Sequence, residues 1–169
     1  MRKPKENMAL ATFAAGCFWC VDATFRAEPG VMTTSSGYTG GKSKHPNYLS
    51  VCALNTGHAE AVEVTYDPTL VRYERLLEIF WEAHDPTQLN RQGRDVGTQY
   101  RSAIFHHTPE QERLARESKA AMDASGLYDK PIVTEIVSAA KFHRAENFHQ
   151  FVARIIGGWR WLIKRMRKD

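Results

Sequence analysis

Cysteine is scarce in this chain of 169 residues, which has only Cys17, Cys20 and Cys52. Three cysteines cannot pair off completely and are too few for the disulfide framework of a small secreted domain, so a reducing, cytoplasmic setting is expected. They also cannot complete a four-cysteine zinc site, and the single Cys-x-x-Cys has no second pair or spaced histidine pair beside it, so no metal is expected. Long apolar runs are lacking too. A membrane helix needs roughly 18 or more apolar residues, and the longest run, Met8 to Val21, is interrupted by Thr12 and Gly16. That run follows Arg2, Lys3 and Lys5 and so imitates a secretory signal. Glu6 and Asn7 break the basic start, however, and the stretch enters Gly16-Cys17-Phe18-Trp19-Cys20 instead of a small-residue cleavage site. A structural strand is the better reading, and no membrane partner is expected.

Repeats and low-complexity segments are absent as well. With 43% hydrophobic and 25% charged residues, the composition excludes long disorder and collagen-like arrays and is that of one globular domain. The net charge of +4 gathers at the ends: residues 154–169 carry six of the 23 Lys and Arg but one of the 19 acids. Without a recognition motif such a tail is a solvated amphipathic end, and no specific nucleic-acid partner is expected. The expected organisation is a flexible basic N-terminus over 1–7, a catalytic domain over 8–156 and a basic C-terminal tail over 157–169, in a monomer.

Along the chain, Met8 to Ala15 reads as a strand, and Phe18 to Ala27 as a helix stopped by Pro29-Gly30. Val31 to Ser36 is a second strand, followed by a polar loop through Tyr48. Ala59 to Tyr66 alternates cleanly and sets Glu60 on the same face as Val62, Val64 and Tyr66. Leu70 to His84 is a helix whose Tyr73, Leu76, Leu77, Phe80 and Trp81 form the buried side. Tyr100 to His106 is a strand. Thr108-Pro109-Glu110-Gln111 opens a helix running to about Ala124, with Thr108 as N-cap and Gln111 closing a capping box. Pro131 to Ala139 is a further strand, and Ala145 to Ile156 a last helix ended by Gly157-Gly158. Strands and helices intersperse, yet several connections are too short for helical crossovers. The expected fold is a single α+β domain with a mixed, mostly antiparallel sheet flanked by helices.

Two residues stand out chemically. Cys17 follows a strand and a glycine and opens a helix, where free backbone N–H groups and the helix dipole lower a thiol pKa. Glu60 sits on an apolar strand face, where burial would raise its pKa and keep a proton on it for general-acid work; a core ion pair with an arginine is the competing reading. A thioredoxin-like thiol–disulfide oxidoreductase using Cys17 and Cys20 is one function open at this point, although simple thiol exchange has little need of an inward carboxylate. Tyr48, Tyr100 and Asp95 have no distinguishing pattern of their own.

Taken together, Gly16-Cys17-Phe18-Trp19, Gly37-Tyr38-Thr39-Gly40-Gly41, Thr56-Gly57-His58-Ala59-Glu60, His84-Asp85-Pro86-Thr87 and Gly97-Thr98-Gln99-Tyr100-Arg101-Ser102 resemble the successive signatures of the peptide methionine sulfoxide reductase A family. Ala145-Glu146-Asn147-Phe148-His149-Gln150 is similar to its last motif, so the resemblance covers about residues 8–151. It implies reduction of the S epimer of methionine sulfoxide, free or in proteins, with no cofactor and with thioredoxin as reductant. It also implies Cys17 as nucleophile and Glu60 as the acid that protonates the sulfoxide oxygen. Tyr48 and Tyr100 would bind that oxygen, Asp95 would support the polar network, and Phe18 and Trp19 would hold the substrate methyl group. Many members have glycine where Cys20 stands and keep resolving cysteines in a C-terminal tail. Here Trp159 to Asp169 contain none, which leaves Cys20 and Cys52. Cys20 lies one helical turn from Cys17, within reach of a disulfide. Cys52 has the character of a small buried core residue and is the alternative.

Overall fold

The computed structural model describes residues 7–53 and 55–166, with side chains through Gly158. The expectations for residues 1–6 and 167–169 lie outside the described residues. In chain order the elements are β1 (Ala9–Ala15), α1 (Phe18–Arg26), β2 (Val31–Thr39), α2 (Tyr48–Ala53), β3 (Ala59–Tyr66), α3 (Tyr73–Glu82), the short strands β4 (Arg91–Gln92) and β5 (Asp95–Val96), a 3-10 turn over Thr98–Tyr100, β6 (Ser102–His106), α4 (Pro109–Ala124), β7 (Glu135–Ser138), β8 (His143–Arg144) and α5 (Asn147–Met166). Six strands form one sheet in the order β7-β6-β1-β3-β2-β8, and β4 and β5 form a separate two-stranded sheet. Every pairing in the large sheet is antiparallel except β6 with β7. The mixed, mostly antiparallel α+β fold is thus the one observed.

Alternation decides which side chains face the helices. Phe13, Val62, Val64 and Ile104 point into a cluster that also takes in Phe18 and Phe25 of α1, Leu76 and Phe80 of α3 and Ala115 of α4. Phe13 lies at its centre, stacked on Phe25 at 4.8 Å and on Phe80 at 5.4 Å between centroids. Burying one such ring contributes about 2–3 kcal/mol. The opposite face is lined mainly by alanines, Ala14, Ala59, Ala61 and Ala103, with Phe105. Glu60, two residues before Val62, shares the helix-facing side and is 2% exposed.

Several local expectations change. The segment after the second strand is not all loop: α2 begins at Tyr48, capped by Asn47, whose Oδ1 accepts the Ser50 N–H at 2.9 Å. β2 runs three residues beyond Ser36 because its last residues pair with β3 as far as Thr39 opposite Ala59. Tyr100 belongs to the 3-10 turn before β6 and not to the strand. Thr108 caps α4 as expected, its Oγ1 accepting the Gln111 N–H at 3.1 Å. The Gln111 side chain, however, reaches past the cap to the His107 N–H and donates to the Leu10 carbonyl, tying the helix to β1. The last helix starts at Asn147 and does not stop at Gly157-Gly158 but continues to Met166. A Cβ on Gly157 would meet Ala23 of α1 at 3.6 Å, so tertiary packing of α5 on α1 outweighs the weak helix propensity of glycine.

Candidate active site

Cys17 is the N-cap of α1, and its carbonyl accepts the Cys20 and Val21 N–H groups. Gly16 makes this turn possible. Its φ is +89°, and a Cβ there would lie 2.8 Å from Cβ of Gln92, so only glycine lets the β4–β5 hairpin approach the Cys17 turn. Gln92 is fixed in turn by hydrogen bonds to the backbone N–H and carbonyl of Asp85. The hairpin brings Asp95 to the site on β5, just ahead of Tyr100.

The next backbone N–H, that of Phe18, donates to Glu60 Oε2 at 3.1 Å. A single peptide therefore joins the first turn of α1 to the carboxyl of β3. Burial pushes the Glu60 pKa up, the Phe18 N–H opposes it, and the negative charge of Asp95 adds to the rise, to about 7. Among the described residues no arginine pairs with Glu60, which leaves a carboxyl that carries its proton near neutrality in place of the core ion pair.

Cys17 departs from expectation. Its thiol is half-buried, and a hydrogen bond with the Cys20 side chain, burial and the Glu60 charge raise its pKa; the Trp19 N–H pulls the other way and is outweighed. The helix terminus acts in the expected direction but loses to the neighbouring thiol and the desolvation, so Cys17 rests as a thiol.

Cys52 is not a core residue. It is exposed, one turn after Tyr48 on α2. Burial and the Glu60 charge raise its pKa and outweigh the neighbouring Tyr48 and Tyr100 hydroxyls, which lower it. The Tyr48 phenol is pushed up to about 12 by burial first, then by Cys52, Glu60 and Cys17; Tyr100 is raised by burial and by Glu60. Tyr48, Tyr100, Cys17, Asp95 and Cys52 thus all lie within the electrostatic reach of Glu60.

Phe18 is 1% exposed and Trp19 half-buried. Both rings meet His149 on the first turn of α5, at 5.3 and 5.7 Å, and the Tyr48 ring lies 4.5 Å from the same imidazole. Glu146, just before α5, accepts the Tyr48 N–H at 2.9 Å and the Tyr38 hydroxyl at 2.9 Å, so the loop before α5 holds the start of α2. The motif over 145–150 contains Glu146 and His149, but the sequence alone assigns neither a place in the site. An acid and a histidine three residues apart at a helix start were the available signal.

Comparison with known proteins agrees with this geometry. The family model for peptide methionine sulfoxide reductase matches residues 9–154. The chain is 57% identical over 155 residues to the Geobacter sulfurreducens protein "Peptide methionine sulfoxide reductase MsrA", covering 90% of this chain and 96% of that one. It is 50% identical over 146 residues to the Listeria innocua protein of the same name, covering 86% and 82%. Among solved structures, methionine sulfoxide reductase A of Corynebacterium diphtheriae superposes with a TM-score of 0.78 at 40% identity, over 86% of this chain and 74% of that one. The reduced form of Mxr1 from Saccharomyces cerevisiae gives 0.80 at 31% identity, over 88% and 85%. With the Cys17 turn, the buried Glu60 carboxyl and both Tyr48 and Tyr100 inside the matched span, the chain belongs to the peptide methionine sulfoxide reductase family.

Proposed function

We propose that this chain reduces the S epimer of methionine sulfoxide, free and in proteins, through a sulfenic acid on Cys17 that thioredoxin ultimately reduces. The observation that carries the proposal is Glu60: a buried carboxyl with a pKa near 7, hydrogen-bonded to the residue after the cysteine. A sulfoxide is a poor electrophile until its oxygen takes up a proton, and a neutral carboxylic acid beside a thiol supplies both the proton and the nucleophile.

Glu60 donates its proton to the sulfoxide oxygen while Tyr48 and Tyr100 hydrogen-bond that oxygen and Asp95 keeps the carboxyl protonated. The Cys17 sulfur attacks the sulfoxide sulfur and its thiol proton returns to the Glu60 carboxylate. The oxygen then passes to Cys17 with its proton, the new sulfur–sulfur bond and the S–O bond of the substrate both break, and methionine leaves with Cys17 as the sulfenic acid. Phe18 and Trp19 form the apolar wall for the substrate methyl group. All these groups come from one chain, so a monomer suffices. Cys20 then attacks the sulfenic sulfur, water departs, and a Cys17–Cys20 disulfide remains for a dithiol reductant to open. Cys20, in the first turn of the helix that Cys17 caps and close enough to raise the Cys17 pKa, is placed for this role. Cys52, one turn after Tyr48 on α2, is the alternative resolving thiol.

The test is stereospecific turnover with dithiothreitol, in which the S epimer is consumed and the R epimer is not; unreduced S epimer would refute the reaction. The relay is read separately. Cys20→Ser should release one methionine per enzyme and gain one oxygen atom in intact mass, yet lose thioredoxin-driven cycling, whereas Cys52→Ser should keep cycling. A Cys17–Cys52 disulfide in the peptide map of cycling Cys20→Ser protein would transfer the resolving role to Cys52.

A further inference from the structure

We infer that His149 is a positioning residue for the sulfoxide pocket: its Nδ1 fixes the indole of Trp19 while its ring braces Tyr48, so one neutral imidazole sets the spacing between the methyl wall and an oxygen-binding hydroxyl. The inference rests on the pocket roles of Trp19 and Tyr48 stated above. His149 is 5% exposed. Trp19 Nε1 donates to its Nδ1 at 3.1 Å. An indole N–H can only donate, so Nδ1 must be the unprotonated nitrogen. The ring proton then sits on Nε2, which faces Glu146 Oε2 at 3.9 Å. That carboxylate is already engaged by the Tyr38 hydroxyl and the Tyr48 N–H.

A second proton would place an imidazolium N–H against the indole N–H, two donors without an acceptor. Burial lowers the His149 pKa and the Glu146 carboxylate opposes the shift. The charge facing the ring comes from Glu146, next to its own helix, while α1 presents Phe18 and Trp19 and α2 presents Tyr48. Acid therefore removes the acceptor that orients Trp19. Indole and phenol come from α1 and α2, more than a hundred residues before the histidine that both contact.

Steady-state kinetics with dithiothreitol and methionine S-sulfoxide test this in His149→Phe, His149→Asn and Trp19→Phe, with thermal melts to verify folding. His149→Phe keeps a ring but strands the indole N–H. Its KM should rise about ten-fold, with a much smaller change in kcat. An Asn side-chain oxygen can reach the Nδ1 position, so His149→Asn should bring KM back to within about three-fold of the native value. The native KM should climb on the acid side as the imidazole charges, and that limb should vanish in His149→Phe. Adding His149→Phe to Trp19→Phe should cost nothing further, because the hydrogen bond is already gone. An unchanged KM in His149→Phe, equal damage in the Asn and Phe variants, or an acid limb that survives in His149→Phe would overturn the inference. An unchanged KM in Trp19→Phe would instead refute the pocket role of Trp19 on which it rests.

Discussion

Glu60 is stored in its acid form at some expense to the fold. Its carboxyl titrates near pH 7 in the native state against an ordinary value of 4.5, so between those values the native chain holds a proton that the unfolded chain has released. Stability is fully present below pH about 4.5 and falls as the pH rises through about 7, by about 3 kcal/mol for a shift of this size. Glu60→Gln removes that loss. The variant should match the native protein in acid and become more stable than it above neutrality, in denaturant titrations at several pH values. Its single-turnover rate should fall by roughly 10²-fold or more, because the amide cannot deliver a proton. The native rate should decline as pH rises through the Glu60 pKa. An unchanged rate in Glu60→Gln across neutral pH would eliminate it as the acid.

The helices show which parts of a sequence speak locally. α1 and α3 were legible because each has an apolar side, with Pro29-Gly30 stopping the first, and α4 because Thr108-Pro109 marks its start. α2 was not: six residues with one buried side chain, Val51, give no periodicity, and its cap, Asn47 with Ser50, sits in a run of other loop-forming residues. α5 misled for the opposite reason, since Gly157-Gly158 is a local stop signal that packing against Ala23 overrides. The attachment of α5 to the sheet was equally hidden. Gln150 is 5% exposed and its amide acts as an extra strand partner, accepting the Ser36 N–H at 3.1 Å and donating to the Ser36 carbonyl at 2.7 Å. Gln150→Leu leaves the Ser36 N–H without this acceptor. It should destabilise the protein by about 2 kcal/mol in chemical denaturation and loosen the element that carries His149. A loss within measurement error would mean that α5 is held by its other contacts alone.

Cys17 and Glu60 were visible from the sequence because their positions follow from a strand-to-helix turn and from strand alternation. The exposure of Cys52 beside Tyr48 and Tyr100, and the contacts of Glu146 and His149, were not, since they arise where elements meet only in the finished fold. β1, in the middle of the sheet, pairs with strands that begin at residues 59 and 102, and α1 packs on α5 through partners such as Trp19 and His149, 130 positions apart. Closing such long loops costs entropy before any contact rewards it, which slows folding. Helical circular dichroism and enzymatic competence should therefore return on different clocks when the denatured chain is diluted into buffer. The helical signal should recover first, and sulfoxide reduction only when the end of the chain docks against its beginning. A chain still emerging from the ribosome would on this view be inert until α5 is released, however complete its cysteine turn.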